Sequence, residues 1–547
     1  MASNGAQNSH ERSPLIQPDA RVHVPQPVQG NGDDDDDERT VVAKQLPFPR
    51  LAFIMGTAWL GVFLGAIDST VIATLSASIA SEFKSLSLLS WLATAYLIST
   101  AACQPISGRL TDIFGRGTGL IFSNLFFAAG NLICGLAQDD STMILGRIIA
   151  GIGGGGLMSI STFLGSDLIP LRNRGIAQGI GNICYGSGAM LGSVFGGLMN
   201  DRTSWGWRLA FLIQVPPVLF SAVTAAILVK VPPKQSKKSL LARIDFVGVL
   251  LTTSFLVILL LGLNSGGNIV PWTHPLPLVT IPLSFVIFAG FLWWESRARQ
   301  PIIPIKLLMV RTVLAACVCN LLCTMITMAG IFHVPLYFQV LGDSATGAGL
   351  KMLPSPLGIS IFSVGAGFVM KRTGRYYWLG VSSVLVLIGG VIIFTLQGKY
   401  SPLWYSSVAF FFVGGGYGAM LTVTLLACVA AVDHSQQAVV TSATYLGRSV
   451  GGTVGVTLGS AVYQNVLKAR LWARFGGLPG AAEEIGRIRN DLSELKRLPP
   501  GWHDGVIDSF MEAFQSVWLV MLAIAVAALV SISMMRQYTL HATLERR

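Results

Sequence analysis

The sequence predicts an all-α protein with many membrane-spanning helices, and three observations support that class. Of its 547 residues, 52% are hydrophobic and 12% are charged, about half the charged share of an average soluble domain. The acids are segregated, since 8 of the 27 precede residue 40 and 7 more lie between residues 483 and 512. Between these acidic segments, runs of about 20 apolar residues, enough to cross a bilayer, follow one another. A water-soluble fold is therefore excluded.

Fourteen apolar runs, bounded by charged or Pro/Gly-rich segments, are predicted to be transmembrane helices. They cover residues 51–75, 89–108, 118–137, 142–165, 175–199, 207–229, 246–263, 275–294, 312–339, 345–370, 376–396, 402–430, 437–466 and 511–535. Pro335 marks a point where one long run could divide, because proline lacks the donor that an uninterrupted helix needs.

Glycine and arginine positions recur at a fixed offset of 259 residues. The matching pairs are Gly108 and Gly367, Gly115 and Gly374, Arg116 and Arg375, Gly155 and Gly414, Gly156 and Gly415, Gly188 and Gly447, Gly192 and Gly451, and Gly196 and Gly455. A register of this length predicts two parallel halves of six spans, with spans seven and eight inserted between them. Such halves enclose a substrate path near the bilayer midplane and expose it to each side in turn.

The predicted organisation follows from these spans. It comprises a disordered acidic tail (1–50), a first six-helix bundle (51–230), a linker with two extra spans (231–311), a second bundle (312–535) with a luminal or extracellular loop at about 467–510, and a second tail (536–547). Lys and Arg concentrate in short connections on one face, which predicts that both tails are cytosolic.

Composition also excludes several function classes. The net charge of +11 comes from basic residues dispersed in short connections, which is not the pattern of a nucleic-acid surface. Seven cysteines lie within predicted spans and no CxxC pair is present to hold zinc, so we expect inert thiols and no metal. No ATP-binding P-loop is apparent. We therefore expect a monomeric secondary carrier without a cofactor, not an enzyme or an ATP-driven pump.

Asp68 is the one acid well inside a predicted span, and Arg147 is an arginine at a similar depth. At about 1.5 Å per residue, Asp68 lies about 10 Å from the far end of its span and Arg147 about 8 Å from the same face, so the two are predicted to pair. Burial favours the protonated form of a carboxyl group, and a neighbouring arginine favours the ionised form. Asp68 is predicted to hold a proton and a cationic substrate in turn, with a structural ion pair as the alternative. At the 259-residue offset, Thr327 and Ser406 stand in place of this pair.

Other polar and aromatic side chains are candidates for the substrate path. His333 falls near the far end of span nine and could titrate against an acidic lumen or be a hydrogen-bonded structural residue. Arg448 lies near the middle of span thirteen and could receive a substrate carboxylate or pair with backbone carbonyls. The tyrosines that could line the path, or simply pack, are Tyr96, Tyr185, Tyr337, Tyr417 and Tyr445.

The connection after span two runs from Gly108 to Gly117 and includes Asp112, Gly115 and Arg116. Its glycines suit a tight turn, while Asp112 can begin a helix and attract basic groups of the opposite half, so the loop is predicted to latch the cytosolic gate. Together with the repeat, it resembles the signature loop of the major facilitator superfamily.

Span five carries Gly188, Gly192, Gly196 and Gly197, a small-residue face that permits close helix packing. The spacing resembles the antiporter motif of proton-coupled drug exporters, except that Ser193 stands where that motif has proline. A plain packing seam is the alternative interpretation.

Glu11, Leu15 and Ile16 lie in the N-terminal tail, with the acid four positions before the Leu-Ile pair. This spacing resembles the acidic dileucine signal that adaptor complexes read to send cargo to vacuoles or lysosomes.

Four further stretches carry a closer family resemblance. They are Leu60–Val71, Gly151–Gly156, Ser166–Arg174 and Trp207–Phe211. They resemble the fourteen-span drug:proton antiporter branch of the superfamily and, more narrowly, the fungal vacuolar basic amino acid transporters, over roughly residues 50 to 465. The resemblance implies proton-driven exchange. It also places Arg147 at the arginine of the superfamily's fourth-helix motif, where it implies proton coupling.

The sequence therefore predicts a proton-coupled antiporter of basic amino acids at the vacuolar membrane. The alternative within the same fold is a plasma-membrane exporter of drugs or toxins. A non-transporting receptor or sensor would need larger soluble tails than these, of about 50 and 12 residues. The expected partners are the lipid bilayer, protons, a small cationic or amphipathic substrate and, through Leu15 and Ile16, a sorting adaptor complex.

Overall fold

The computed structural model describes residues 47–83, 88–229, 245–266, 270–298, 305–343, 347, 350–433, 436–478, 480–490, 495, 498–499 and 501–540. The first half contains α1 (Phe48–Glu82), α2 (Leu88–Phe114), α3 (Arg116–Leu136), α4 (Asp140–Leu168), α5 (Leu171–Arg202), α6 (Trp207–Leu212) and α7 (Val215–Leu228). The middle contains α8 (Phe246–Ser265), α9 (Pro275–Glu295) and α10 (Ile305–Leu308). The second half contains α11 (Arg311–Val340), α12 (Pro354–Thr373), α13 (Tyr377–Thr395), α14 (Leu403–Ala430), α15 (Gln437–Phe475), α16 (Ala481–Asn490) and α17 (His503–Ser533).

Each of the fourteen predicted spans falls on a helix or, for 207–229, on the α6–α7 pair. Among the described residues, ten of these are long and apolar enough to cross a membrane: α1, α3, α4, α6–α7, α8, α9, α11, α13, α14 and α17. The other four, α2, α5, α12 and α15, are less apolar on average. These four also form the main contacts between the two halves, α2 with α15 and α5 with α12. Their composition suits helices that face other helices more than lipid.

The apolar core divides in the same way as the predicted repeat. One buried cluster consists of residues from 54 to 229, and another consists of residues from 307 to 538. Ala438 of α15 is the second-half residue that joins the first cluster. Each half therefore has its own core, and the halves meet along narrow seams.

The turns that the repeat matches both place a glycine at positive φ, although their ψ angles differ, 148° at Gly115 and 6° at Gly374. Gly115 between α2 and α3 has φ 94°, and Gly374 between α12 and α13 has φ 67°. A residue with a side chain rarely adopts a positive φ, whereas glycine does so without steric cost. The backbone thus independently supports the 259-residue register.

Two glycine contacts join the halves, and the repeat relates them. Gly108 of α2 lies against Ala438 and Ser442 of α15, and Gly367 of α12 lies against Gly175 of α5. Because α2 corresponds to α12 and α5 to α15, these are the two copies of one seam. A Cβ at either α2 or α12 glycine would overlap the facing helix, so close backbone approach requires glycine here.

The glycine face of span five packs α5 on α1, and its repeat packs α15 on α11. Gly188 and Gly192 lie against Phe63, Ala66, Ile67 and Thr70, while Gly447, Gly451 and Gly455 lie against Cys317, Leu321 and Met325. Gly196 is buried on the same helix, and Gly197 lies one position further along it. These glycines form a packing seam, and their part in antiport stays a prediction.

Two details qualify the predicted spans. Pro335 lies inside α11 without ending it, in agreement with the span 312–339. Helix α12 begins at Pro354, whereas the predicted span begins at residue 345. The predicted loop at about 467–510 is largely helical, since α15 continues to Phe475 and α16 follows. A stacked pair, Phe475 and Trp502 with ring centroids 4.2 Å apart, anchors this segment on the second half. Such tertiary packing is invisible to a search for apolar runs.

Replacing Gly192 with alanine tests the α5–α1 seam. We expect Gly192→Ala to lower the melting temperature of the detergent-purified protein by several degrees, because the new methyl group overlaps the Thr70 hydroxyl and the Ile67 carbonyl, and overpacking costs about 1–3 kcal/mol. The control is Gly389→Ala in α13, where a Cβ meets nothing within 4 Å. Equal melting temperatures for the two variants would contradict the seam.

Candidate functional site

The two ionisable residues singled out in the apolar helices form a buried ion pair. Asp68 lies in α1, fourteen residues before its end at Glu82, and Arg147 lies in α4, seven residues after its start at Asp140. Arg147 Nη1 donates to Asp68 Oδ2 at 2.8 Å. Both residues are 0% exposed. Because helix α1 is longer than the predicted span, Asp68 lies about 21 Å from its end at 1.5 Å per residue, deeper than the sequence suggested.

Neighbouring helices hold the arginine in place. Arg147 Nε donates to the carbonyl of Leu92 in α2 at 3.1 Å. Its guanidinium lies over the ring of Tyr96, 4.4 Å from the centroid, and 5.9 Å from that of Phe211 in α6. The Tyr96 hydroxyl donates to the carbonyl of Gly65 in α1 at 3.1 Å. The pair therefore ties α1, α2, α4 and α6 together.

The second carboxylate oxygen is less constrained. Asp68 Oδ1 is buried without a hydrogen-bond partner, and so is Gln214 Oε1. Gln214 neighbours Asp68 and stands at the break between α6 and α7, where its amide nitrogen donates to the carbonyl of Ala210 at 2.9 Å. Sequence reasoning predicted one unbroken span here and missed Gln214. The signal was the Gln214-Val215-Pro216-Pro217 segment, because prolines begin a helix more readily than they continue one.

On the side of Tyr96 away from the ion pair lie Tyr185 of the first half and, next to it, residues of the second half. Tyr96 neighbours Tyr185 of α5, which is 41% exposed although it lies well inside its helix. Tyr185 and Tyr417 of α14 both neighbour Arg448 of α15. Tyr185 therefore lies between Tyr96 and Arg448, and because it is 41% exposed there we infer an opening between the halves at this point.

Arg448 is partly buried and has no carboxylate beside it. Its Cζ lies 3.7 Å from the centroid of the Tyr445 ring. Its Nε has no hydrogen-bond partner, and no ion pair of the described chain includes it. Backbone carbonyls, one of the two partners expected from the sequence, do not accept from this Nε.

Polar side chains also join the two halves near this opening. The hydroxyls of Thr162 in α4 and Tyr445 are 2.7 Å apart, and Ser449 of α15 donates to Gln104 of α2 at 3.2 Å. On the other seam, Asn182 of α5 donates to Ser363 of α12 at 2.8 Å. These contacts form a polar layer across the centre, and sequence patterns gave no sign of it.

Arg116, Arg172 and Arg174 lie at one end of the bundle, which we call the basic end. The two halves contact each other at this end. Arg172 Nε donates to the carbonyl of Lys371 at 2.6 Å, and Arg174 Nη1 donates to Gln437 Oε1 at 2.9 Å, each across the halves. With the two glycine seams, these contacts seal the basic end. We therefore infer that the opening at Tyr185 faces the opposite end.

The signature-like loop is organised within its own half. Arg116 pairs with Asp112 at 2.5 Å and with Asp167 of α4 at 2.7 Å, and its Nη1 also donates to Thr111 Oγ1. Asp112 thus pairs with a basic group of its own half, and its attraction for basic groups of the other half stays a prediction. Contact with the other half runs instead through Gly108.

Two candidates for the substrate path lie elsewhere. His333 is buried between α11 and α15, with Nδ1 2.9 Å from the carbonyl of Ala329 and its ring edge-on to Tyr463. Tyr337 packs edge-on to Phe514 of α17 and donates to the carbonyl of Gly398 at 3.3 Å. Both are buried in the packed interior of the second half in this structure, which favours the structural interpretation, and their place on the path stays a prediction. Tyr96 is also buried.

The predicted sorting signal, Glu11, Leu15 and Ile16, lies outside the described residues. In the second half, Thr327 donates to the carbonyl of Cys323 at 3.0 Å, and Ser406 is buried beside Gln397. The charge pair thus has no counterpart at the repeat-related positions.

At the opposite end, Glu82 of α1 joins α6. Its carboxylate accepts from Trp207 Nε1 and from Arg208 Nη1, both at 2.6 Å, and Arg208 also donates to the carbonyl of Ala137 at 3.0 Å. These contacts stay within the first half.

Comparison with known proteins gives one family. The family model described as Major Facilitator Superfamily matches residues 58–456. The chain is 35% identical over 500 residues to multidrug resistance protein fnx1 of Schizosaccharomyces pombe, covering 90% of this chain and 94% of that protein. It is 30% identical over 519 residues to vacuolar basic amino acid transporter 1 of Saccharomyces cerevisiae, covering 87% and 91%. The solved structure of the proton:xylose symporter XylE with 6-bromo-6-deoxy-D-glucose has the same fold, with TM-score 0.57, 16% identity and coverage of 88% and 95%.

A double-mutant cycle tests the mutual dependence of Asp68 and Arg147. We expect Asp68→Asn and Arg147→Gln each to lower stability, since removing one partner of a buried pair costs about 3–5 kcal/mol. The double variant should lose less than the sum of the two, because neither charge is then left unpaired. Melting temperature in detergent is the measurement.

The control for this cycle is Arg487→Gln, which breaks an exposed pair with Glu483 in α16. It should change stability little, since exposed pairs contribute about 0–1 kcal/mol. Strictly additive losses at Asp68 and Arg147 would show that the two side chains do not act as a pair.

Proposed function

Because this chain belongs to the Major Facilitator Superfamily, a family of transporters and not of enzymes, we propose that it is a proton-coupled antiporter that moves basic amino acids across the vacuolar membrane. The observation that carries the coupling is the buried Asp68–Arg147 pair, at 2.8 Å and without solvent exposure. A buried carboxyl group can be ionised or protonated, and each form favours different neighbouring contacts. This difference can couple proton binding to a conformational change.

Coupling acts through the helices that the pair ties together. When Asp68 is ionised, it neutralises Arg147 and holds α1 against α4. When Asp68 takes up a proton, Arg147 is left as a buried charge, which is strongly unfavourable, so the first half must repack or Arg147 must find another partner. Gln214 neighbours Asp68, and reorientation of its amide would let Oε1, which has no partner here, accept from a protonated Asp68. Repacking at the α6–α7 break then changes how the first half meets the second.

We propose that the substrate does not contact Asp68 directly. Tyr96 lies between the pair and the opening, and Asp68 has no exposed surface. Direct competition of proton and cation for one carboxylate, the mechanism expected from the sequence, is therefore replaced by indirect competition. The proton changes the seams between the halves, and the substrate binds in the opening between them.

Alternating access follows from the closed basic end. Arg172, Arg174 and the two glycine seams hold the halves together there, while the opening at Tyr185 faces the opposite end. We assign the basic end to the cytosol from the distribution of Lys and Arg. This conformation then faces the vacuolar lumen, where protons enter and substrate leaves.

We propose basic amino acids as the substrate because one relative is named a vacuolar basic amino acid transporter, and this chain covers 91% of the length of that relative. The second candidate is drug or toxin efflux at the plasma membrane, which the similarity to a multidrug resistance protein favours. Substrate competition in one transport assay separates the two.

We propose that the protein acts as a monomer in the bilayer and that an adaptor complex reads the tail at Leu15 and Ile16.

Transport into sealed vesicles tests the coupling role. The purified protein should accumulate labelled lysine when a pH gradient, acid inside, is imposed. Asp68→Asn should abolish this accumulation but retain exchange of labelled for unlabelled lysine at equal pH, because that exchange moves no net proton. Asp68→Glu should retain part of the gradient-driven uptake.

The control for the transport test is Asp508→Asn, a partly exposed acid at the start of α17, which should behave like the unmodified protein. Unchanged gradient-driven uptake in Asp68→Asn would remove Asp68 from the coupling. Loss of both activities with a lower melting temperature would identify a structural role. Gradient-driven movement of a lipophilic dye without lysine uptake would favour drug efflux.

Localisation tests the membrane assignment. A fluorescently tagged chain should label the vacuolar membrane in a fungal cell, and the Leu15→Ala/Ile16→Ala variant should shift to the plasma membrane because the adaptor signal is lost. The control replaces Val22 and Val24 with alanine in the same tail. Plasma-membrane labelling by the unmodified chain contradicts a vacuolar site.

A further inference from the structure

Arg448 is the charge whose place in the molecule the coupling mechanism does not explain. It lies eleven residues into α15, about 17 Å from the basic end at 1.5 Å per residue. An arginine at this depth is costly unless a partner or a polar cavity compensates its charge. Its position therefore calls for a specific acceptor.

The described residues do not supply that acceptor. Arg448 Nε has no hydrogen-bond partner, and no ion pair of the described chain reaches the guanidinium. Its one protein contact of note is the face of Tyr445, 3.7 Å from Cζ to the ring centroid. Stacking on a ring leaves the in-plane N–H groups of a guanidinium available, and these are the groups that bind oxygen acceptors.

The surroundings of Arg448 are aromatic hydroxyl groups rather than acids. Tyr185 comes from the first half and Tyr417 from the second, and both neighbour Arg448. Tyr185 is 41% exposed, so the site is open to a small molecule. A ligand here would contact both halves at once, as the substrate of an alternating carrier must.

Charge balance then selects the kind of ligand. The Asp68 carboxylate is neutralised by Arg147 and shielded by Tyr96. Among the residues that the structure describes around the opening, Arg448 is the positive charge that no acid compensates. This field repels a simple organic cation and attracts a carboxylate, which a guanidinium binds through two parallel hydrogen bonds.

We infer that Arg448 binds the carboxylate of the transported molecule, with the Tyr185 and Tyr417 hydroxyls beside it, and that the carrier therefore requires a carboxylate-bearing substrate. This inference rests on the proposed amino acid transport and names the group by which the substrate is recognised. The cationic side chain of a basic amino acid lies against the aromatic rings, where a cation–π contact replaces an acid partner. A decarboxylated or esterified amine keeps that cation but lacks the group that Arg448 binds.

The test compares three competitors in the vesicle assay described above. Unlabelled lysine should inhibit uptake of labelled lysine at least about tenfold more effectively than lysine methyl ester or cadaverine, since a charged hydrogen bond contributes about 1.5–3 kcal/mol and 1.4 kcal/mol is tenfold. Arg448→Gln should lower lysine uptake by at least about the same factor, and Arg448→Lys should recover part of it.

A second readout does not depend on transport. Lysine should raise the melting temperature of the purified protein, and Arg448→Gln should remove that shift while leaving the melting temperature without ligand close to that of the unmodified chain. The matched control is Arg470→Gln, an exposed arginine further along α15 that pairs with Glu512. It should retain uptake and the lysine-induced shift.

The outcomes separate the two proposals. If the unmodified chain takes up lysine but the ester and cadaverine compete as well as lysine does, the carboxylate requirement fails and amino acid transport stands. Normal lysine uptake by Arg448→Gln also overturns the role of Arg448. If the unmodified chain neither takes up nor binds lysine, both the amino acid assignment and the carboxylate site are overturned.

Discussion

A charge inside apolar helices must be compensated close by, and this constraint organises the molecule. Asp68 and Arg147 compensate each other, and the arginine also takes a backbone carbonyl from α2 and an aromatic face from Tyr96. In our proposal, the contacts among α1, α2, α4 and α6 therefore depend on whether Asp68 carries a proton, and this makes the first half sensitive to pH.

The second half differs from the first in how it accommodates charge inside its helices. Thr327 and Ser406, at the positions of the charge pair, are neutral and hydrogen-bonded or buried within their own half. Its charge, Arg448, instead faces the opening without an acid partner. In our proposal, the first half binds the proton and the second half binds the carboxylate of the substrate. The seams between the halves couple these two binding events.

Those seams are suited to opening and closing as units. Gly108 against Ala438 and Gly367 against Gly175 bring backbones into contact without interlocking side chains. Each half retains its own apolar core, so separation at the basic end need not disturb either one. The polar layer through Thr162, Tyr445 and Asn182 consists of hydrogen bonds that water can replace when the halves part.

By itself, the sequence determined the helical class, the positions of the spans, the 259-residue repeat and the pairing of Asp68 with Arg147, because hydropathy, glycine spacing and depth along a helix are local properties. It did not determine what distant segments decide. His333 and Tyr337 had the composition of path residues but pack inside the second half, and the segment after residue 467 is held as helix by the stack of Phe475 on Trp502. Only the tertiary structure showed that Tyr96 shields Asp68, that Gln214 stands at a helix break beside it, and that Arg448 lacks an acid. Which face of a helix meets a neighbour and which meets an opening depends on the packing of all the helices together, and no single segment encodes it.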